Sequence, residues 1–291
     1  MNKFAFKSTF SLLNVDHVRL NKSWNYKHII SPFYRLYLID EGHGALSNTT
    51  QNVTLERNCL YLIPSFTPCS YYCPDHLSQY YLHILEATFD EVSLFISNRK
   101  IFKIPANDGD FAHFKRLLAL HPERGLLKSE NPEDYEKRPI ILGFQELNNQ
   151  LSLADYIETQ GIILQLLARF IGTAEFRSKP ENLISYKIAE AIRYIQNNLQ
   201  TQLTVELLAE KANQNADYFS RIFKETTGER PLAYVQLKRI ERAQFLTITT
   251  DLTFNEIAVE TGFESLAYFS RTFRKVTGQT PSTYRRNNRR V

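Results

Sequence analysis

Two arginines stand at matching places in two similar stretches near the end of the chain. Residues 218–221 read YFSR, and the same four letters return at residues 268–271. An exposed arginine on a helix can donate two hydrogen bonds to O6 and N7 of a guanine in the major groove of DNA. The alternative is that Arg221 and Arg271 pair with nearby acids, such as Asp217 or Glu225. The residue types therefore suggest recognition of a base before they suggest catalysis.

These tetrapeptides belong to a longer internal repeat, with copies at residues 204–231 and 253–281. The second copy carries one more residue in its middle than the first. Each copy is typical of two short helices around a tight turn, and such self-similarity is informative about architecture. The repeat predicts two helix-turn-helix motifs, at residues 204–225 and 253–275.

The ends of the predicted helices have their own signals. Thr253 and Glu256 have the spacing of a capping box, so a helix should begin there. Gly262 should end that helix in a backbone conformation of positive φ. Asn213 takes its place in the first copy, and asparagine is the next residue to tolerate that conformation.

The second helix of each motif should bury its aromatic residues and leave its other face free for a major groove. The DNA-contact residues predicted there are Asp217, Ser220, Arg221, Lys224, Ala267, Ser270, Arg271 and Arg274. Residues 231–247 continue as a helix between the copies, which gives about 25 Å of rigid spacer. One chain could then contact two successive segments of one side of the duplex, without dyad symmetry.

The charge distribution agrees with an anionic partner for this region. Residues 183–291 hold 16 Lys and Arg against 11 Asp and Glu, a net charge of +5, whereas residues 1–182 hold 19 and 20, a net charge of −1. The excess positive charge of the 291-residue chain thus lies in its last third.

The first third has the pattern of strands, at residues 33–40, 53–57, 58–63 and 80–85, separated by turn signals. Short strands at this spacing predict a small antiparallel barrel or a sandwich.

From residue 111 the apolar period becomes helical, and two further helices are predicted at 140–151 and 153–171. The last of these is apolar on several sides. One of its faces carries Ile157, Gly161, Leu164, Ala168 and Ile171. Either the helix packs on its own barrel, or it forms a dimer interface. The polar residues 172–182 are predicted to be a linker.

A pocket on the strands would use aromatic and polar side chains. The candidates for effector binding are Arg35, Tyr37, His43, Tyr71, Tyr72, Tyr81 and His83. A sugar or a small carboxylate would suit these rings and this guanidinium. Core packing is the alternative for each of them.

The sequence also contains residue types that are used in metal binding, redox sensing and catalysis. Cys69, Cys73 and His76, with His83 nearby, could be ligands of zinc or sensors of redox state, but their spacing is not a standard one. A catalytic metal site would need more histidines at short spacing, and the chain has neither an H-x-H sequence nor a phosphate loop or G-x-S-x-G sequence. We therefore expect no enzyme activity and no cofactor. Without an apolar run of about 18 residues or a signal peptide, we expect a cytoplasmic protein that does not enter a membrane.

The repeated YFSR-x-F-[KR], TG and P signature resembles the AraC/XylS family of transcription regulators over about residues 183–284. The resemblance implies a seven-helix DNA-binding domain, and it places Asp217, Ser220, Arg221 and Ala267, Ser270, Arg271 at base-facing positions. Asp217 and Ala267 depart from the larger side chains often found there.

The resemblance also implies an α+β chain of two domains. Residues 1–110 would be a cupin-like β-barrel sensor, 111–171 would hold dimerisation helices, 172–182 the linker and 183–291 the DNA-binding domain. It further implies a homodimeric activator that responds to a small molecule and contacts RNA polymerase.

Overall fold

The computed structural model describes five stretches of the chain, residues 8–88, 94–95, 99–126, 138–177 and 183–289. Described residues up to 177 form one compact unit, and described residues from 183 onward form a second. Of the predicted linker, residues 178–182 lie outside the described residues. The predicted four-part division of the chain stays a prediction.

The first unit is rich in antiparallel strands. The described strands are β1 Ser8–Asn21, β2 Asn25–Ile29, β3 Tyr34–Gly42, β4 Gly44–Ser47, β5 Asn52–Leu55, β6 Cys59–Ile63, β7 Cys69–Tyr72, β8 His76–Thr88 and β9 Phe102–Pro105. One sheet has the order β1-β8-β3-β6-β9, and the other has the order β2-β7-β4-β5. The sequence patterns predict only β3, β5, β6 and part of β8.

The long strand β1 alternates between buried and less buried residues over only part of its length. Phe10 and Leu12 are buried, whereas Thr9 is exposed and Ser11 is half-buried. A bulge between Leu12 and Asn14 then shifts the register against β8, and residues 12–15 are all buried. A strand whose alternation is interrupted in this way lacks the sustained apolar–polar pattern by which strands are found in a sequence.

Four helices of the first unit are described, namely α1 Asp108–Leu120, α2 Arg138–Asn149, α3 Leu153–Ile171 and α4 Ala174–Arg177. Phe114 of α1 and Leu166 of α3 are buried against one face of the five-stranded sheet, together with Leu36 of β3. The opposite face carries Tyr37 and packs on the four-stranded sheet.

The two sheets therefore face each other across an apolar layer, as in a sandwich. In the described strands, no backbone pairing joins a strand of one sheet to a strand of the other. The first unit is thus sheet-rich as expected, while the closed cupin-like barrel stays a prediction.

The helix α3 has two apolar faces with different environments. Ile163, Leu167 and Phe170 are fully buried against the sheet. On the other side, Ile157 is 60% exposed and Leu164 is 39% exposed. Packing on its own sheet therefore accounts for one face of this helix and leaves the other uncovered within the unit.

A buried cation ties β1 to α2. The Arg124 side chain donates to the backbone oxygens of Leu12 at 2.7 Å and Phe144 at 2.6 Å. Burial lowers the pKa of Arg124 to about 10, so the group stays charged. His121 lies beside it and contacts Thr159 Oγ1 at 2.8 Å through Nε2.

The second unit is helical. Its described helices are α5 Leu183–Asn197, α6 Val205–Lys211, α7 Ala216–Thr227, α8 Pro231–Thr249, α9 Phe254–Glu260, α10 Leu266–Thr277 and α11 Pro281–Arg289. Pro231 stands in the first turn of α8, where its missing N–H costs nothing. The helix predicted between the repeats is thus confirmed, and it runs two residues beyond its predicted end. None of the helices in the described stretches has both the length and the apolar character that crossing a bilayer requires.

Candidate nucleic-acid interface

The two helix-turn-helix motifs, α6–α7 and α9–α10, begin their helices in the same way. Thr204 and Asn215 cap α6 and α7, and each side chain accepts a hydrogen bond from a backbone N–H of the first turn. Thr253 and Ser265 do the same for α9 and α10. Glu256 accepts from the Thr253 N–H at 2.6 Å, and this hydrogen bond holds the pKa of Glu256 below its usual value. The predicted capping box is confirmed.

The second helices of the motifs, α7 and α10, are called the recognition helices below. Phe219 and Phe223 of α7 are fully buried, and so are Phe269 and Phe273 of α10. The ring centroids lie 5.4 Å apart in the first pair and 5.7 Å apart in the second. Each recognition helix is therefore anchored by the same pair of rings, and its opposite side remains accessible.

The turns of the two motifs differ in the space around them. Gly262 has φ +75° and Asn213 has φ +49°, as the repeat predicts. A Cβ on Gly262 would lie 2.2 Å from the backbone oxygen of Leu199. Asn213 is exposed and carries its side chain in solvent. The second turn thus requires glycine both for its dihedral angle and for a close backbone approach.

That close approach is part of a joint between the two motifs, formed by Arg239 of α8. Its Nε donates to Leu199 O at 2.9 Å and its Nη2 donates to Thr201 O at 2.7 Å. The same guanidinium lies 5.7 Å from the ring centroid of Phe263, in the second turn. The segment that precedes the first motif therefore rests on the turn of the second.

The predicted DNA-contact residues lie on the outer sides of the recognition helices. Exposed residues are Asp217, Arg221, Lys224, Ala267, Arg271 and Arg274, and the half-buried ones are Ser220 and Ser270. Their placement meets the geometric condition for contact with a groove, since all eight share the side opposite the buried rings.

Arg221 and Arg271 have different surroundings. Nη1 of Arg221 lies 3.8 Å from Oε1 of Glu225, and its guanidinium lies 5.4 Å from the ring centroid of Tyr218. Lys275 takes the place of Glu225 in α10, and in the described part of the chain we find no ion pair to Arg271. Pairing with a nearby acid therefore applies to Arg221 and not to Arg271.

The recognition helices also differ in net charge. Two acids and two bases make α7 neutral, whereas three bases and no acid give α10 a charge of +3. The difference arises at two aligned outer positions, Asp217 against Ala267 and Glu225 against Lys275.

An open hollow of about 580 Å³ lies beside α7. Its lining residues are Asp217, Ser220, Arg221, Lys224, Glu225 and Arg230. Arg230, which precedes α8, and Lys275 are two exposed cations that the sequence reasoning missed. Aligning the two copies would have singled them out, because Thr280 and Glu225 occupy the matching positions.

In the first unit, five of the seven predicted effector residues meet between the sheets. They are Arg35, Tyr37, Tyr71, Tyr81 and His83. Arg35 and His83 are direct cross-strand neighbours on β3 and β8, and Arg35 donates to the hydroxyl of Tyr71 on β7. Burial, with the nearby charge of Arg35, lowers the pKa of His83 well below its usual value, so this imidazole is neutral.

The sequence reasoning missed Trp24 in this group. Its ring stacks on Tyr71 with the centroids 5.0 Å apart, and it is 5% exposed. Trp24 stands in the turn before β2, outside any strand pattern, although its being the only tryptophan of the chain was a signal.

Two predicted effector residues do not join the group. Tyr72 is 50% exposed, because it follows Tyr71 directly and successive residues of a strand point to opposite faces. His43 is exposed in the turn between β3 and β4.

The candidate metal or redox residues differ in their exposure to solvent. Cys69 and Cys73 are buried, and burial raises the pKa of both thiols, that of Cys69 to about 11. The His76 side chain is 57% exposed and lies 3.8 Å from a carboxylate oxygen of Glu41. Within the described stretches no three His, Cys, Asp or Glu side chains are grouped to hold a metal ion. This placement gives no support to the metal- or redox-sensing alternative, since reactive thiols need a lowered pKa.

Known families and proteins resemble parts of this chain. A family model described as a helix-turn-helix domain matches residues 208–287. The HTH-type transcriptional activator Btr of Bacillus subtilis (strain 168) is 25% identical over 230 residues, which are 77% of this chain and 39% of Btr. The Transposon Tn10 TetD protein of Escherichia coli is 35% identical over 100 residues, which are 34% of this chain and 72% of TetD.

Among solved structures, the DNA-binding domain of the global transcriptional factor AdpA, in complex with a target DNA, is 33% identical. The match covers 34% of this chain and 90% of that chain, with a TM-score of 0.34.

The chain belongs to the AraC/XylS family of helix-turn-helix transcription regulators. It spans 39% of the length of Btr, so that relative contains much that has no counterpart here.

Proposed function

We propose that this chain binds double-stranded DNA at specific sequences and regulates transcription, with α7 and α10 in two successive segments of the major groove. The observation that carries this proposal is the equivalent, exposed placement of Arg221 and Arg271 on two helices anchored by the same buried rings. An arginine in this position has the reach and the donor geometry for guanine.

The other outer residues have supporting roles. Lys224 and Arg274, one turn further along, contact phosphates and add affinity that does not depend on sequence. Ser220 and Ser270 donate to or accept from a base or a phosphate. Asp217 stands at a position that the family resemblance makes base-facing, and it suits the exocyclic amine of a cytosine.

We further propose that the first unit is a cupin-like sensor for a small molecule, and that the chain acts as an activator when that effector is bound. The buried Arg35, together with the rings of Tyr37, Tyr71 and Trp24, supports a ligand with an anionic or hydroxyl-rich head, such as a small carboxylate or a sugar. By family resemblance the DNA-bound protein contacts RNA polymerase and has no catalytic activity of its own.

We propose that the chain is a homodimer through the uncovered face of α3. Leu153, Ile157 and Leu164 make an exposed apolar stripe along this helix. Between them, a Cβ on Gly161 would meet no other atom within 4 Å, so that a second helix can approach closely there. Self-complementary stripes of this kind are typical of isologous contacts between copies.

Selection of genomic DNA fragments by the purified full chain, followed by footprinting of the recovered fragments, tests the DNA-binding proposal. We expect protection of an asymmetric site with two contacted segments about one helical turn apart. Selection should be repeated with sugars and small carboxylates added, because the ligand-free form can be silent. Recovery of no preferred sequence under all of these conditions would contradict the proposal.

A further inference from the structure

The two copies of the motif let each recognition helix serve as a reference for the other. At most outer positions they match, with Ser220 and Ser270, Arg221 and Arg271, and Lys224 and Arg274. They differ at Asp217, which aligns with Ala267, and at the position four residues after the arginine, which is one helical turn further on the same face. Only the second difference reverses the sign of the charge. That position is an acid in α7 and a base in α10.

Glu225 is placed to act on Arg221. Its Oε1 lies 3.8 Å from Nη1 of the arginine, and both side chains are more than half exposed. The pair lines the open hollow beside α7, so nothing in the described protein covers it. An exposed pair of this kind is weak, and a partner with better geometry can displace the carboxylate.

A DNA duplex offers Arg221 two kinds of partner. A phosphate gives a contact that does not depend on sequence, and in exposed surroundings it is comparable in strength to a carboxylate. A guanine gives two parallel hydrogen bonds in a fixed geometry. The carboxylate of Glu225 competes evenly with the first partner and poorly with the second.

We propose that Glu225 is a specificity-determining residue of the first motif, which holds Arg221 back from phosphates and releases it to a matching base. The second motif has no such restraint, because Lys275 adds attraction where Glu225 removes it. The two motifs therefore divide their roles. The helix α10 adds affinity for any DNA to its own base contact through Arg271, and α7 makes tight binding depend more strictly on the sequence of the first segment. This inference rests on the proposed DNA binding.

The test uses the full chain and the DNA site recovered by selection, in three forms. One form is intact, one has the first segment scrambled and one has the second segment scrambled. Dissociation constants are measured for each form at several salt concentrations. Glu225→Gln removes the carboxylate and keeps the size of the side chain.

We expect Glu225→Gln to bind the intact site about threefold more tightly and the site with a scrambled first segment about tenfold more tightly, because Arg221 becomes free to contact phosphate. Discrimination at the first segment should therefore fall about threefold. Discrimination at the second segment should stay unchanged, and the slope of log Kd against log salt should steepen by about one.

Two matched variants separate this effect from a change of net charge. Glu229→Gln removes an exposed acid just beyond α7 that has no ion pair in the described residues, so it should tighten binding to all three DNA forms equally. Lys275→Gln should weaken binding to all three forms equally.

If Glu225→Gln changes the three affinities in the same ratio as Glu229→Gln does, the inference is wrong while the proposed DNA binding stands. If the unaltered chain selects no sequence at all, the proposed function and this inference fall together.

Discussion

At the scale of single residues, the same side chain acquires different properties from its neighbours. The guanidinium of Arg221 lies near the carboxylate of Glu225 and the ring of Tyr218, whereas Arg271 is exposed on a helix that contains no acidic residue. Arg35, in the first unit, is buried among rings. Equivalence in sequence is therefore a guide to position and not to energetics.

Replacing the outer arginines by alanine should weaken binding to the selected site by about 1–3 kcal/mol for each residue, because two hydrogen bonds to a base are lost. Arg221→Ala and Arg271→Ala should each relax the base preference in one segment only. Affinities for the selected site and for random DNA check this. Equal losses on both DNAs would mean that these arginines contact only phosphates.

His121 should make the stability of the first unit depend on pH. Burial and the charge of Arg124 lower its pKa to about 4, against about 6.5 in an unfolded chain. Between these values the unfolded chain binds a proton that the folded chain does not. The free energy of unfolding therefore has its full value above pH 6.5, and it falls by about 3 kcal/mol as the pH is lowered to 4.

Urea unfolding of the protein and of His121→Gln between pH 7 and pH 4 measures this dependence. Glutamine keeps a partner for Thr159 and does not titrate, so the variant should lose less stability over this range. Parallel curves for His121→Gln and the unaltered protein would refute the assignment.

At the scale of elements, a glycine required by dihedral angle alone differs from one required by packing as well. Gly228 and Gly278 end the recognition helices at φ +81° and +78°, and a Cβ on either would meet no atom within 4 Å. Gly262 has a similar angle, but its Cα faces the backbone of Leu199. The joint between the motifs is therefore the more demanding element.

Substitution of these glycines should separate the two requirements. Gly278→Ala should cost about 1 kcal/mol of stability, which is the penalty of the left-handed conformation. Gly262→Ala should cost at least about 3 kcal/mol, because the backbone of Leu199 must also move. Urea midpoints of the two variants and of the unaltered chain give the comparison. Similar losses would mean that the close approach carries no energetic weight.

Element by element, how well the sequence predicts the structure depends on the kind of signal. The helix α3 and both motifs are predicted almost to the residue, because caps such as Thr253 and turn residues such as Gly262 are local. The strand β1 is not predicted, since a bulge between Leu12 and Asn14 interrupts its apolar–polar alternation.

The candidate sites follow the same rule. The outer face of α7 can be read from the helical period, so that Arg221 is found from the sequence. The presence of Trp24 in the buried group between the sheets, and the absence of Tyr72 from it, depend on which face of a strand meets the second sheet. The pairing of Glu225 with Arg221 follows from their spacing, and its contrast with Lys275 follows from aligning the two copies, but the contact between the two side chains is seen only in the structure.

At the scale of the whole molecule, the uncovered stripe on α3 concerns the association of two chains. Ile157→Glu would place a charge in the middle of this stripe and should turn a dimer into a monomer at tens of micromolar protein. Leu147→Glu, at a 42% exposed position on α2, is the control and should leave the dimer intact. Sedimentation of the full chain decides. A monomeric unaltered chain, or a dimeric Ile157→Glu variant, would exclude this interface.

The unequal charge of the two recognition helices has a consequence for direction. A uniformly charged protein would bind a duplex in either orientation with equal affinity. In this chain a neutral helix and a helix of charge +3 follow one another in a fixed order, so the DNA-binding unit has a polarity along the duplex. For a chain that binds as we propose, α10 makes the first contact with DNA, and α7 then contacts the bases of the adjacent segment. The binding site is therefore directional. A site inverted within its promoter would bind the chain with the same affinity but in the opposite orientation relative to the gene.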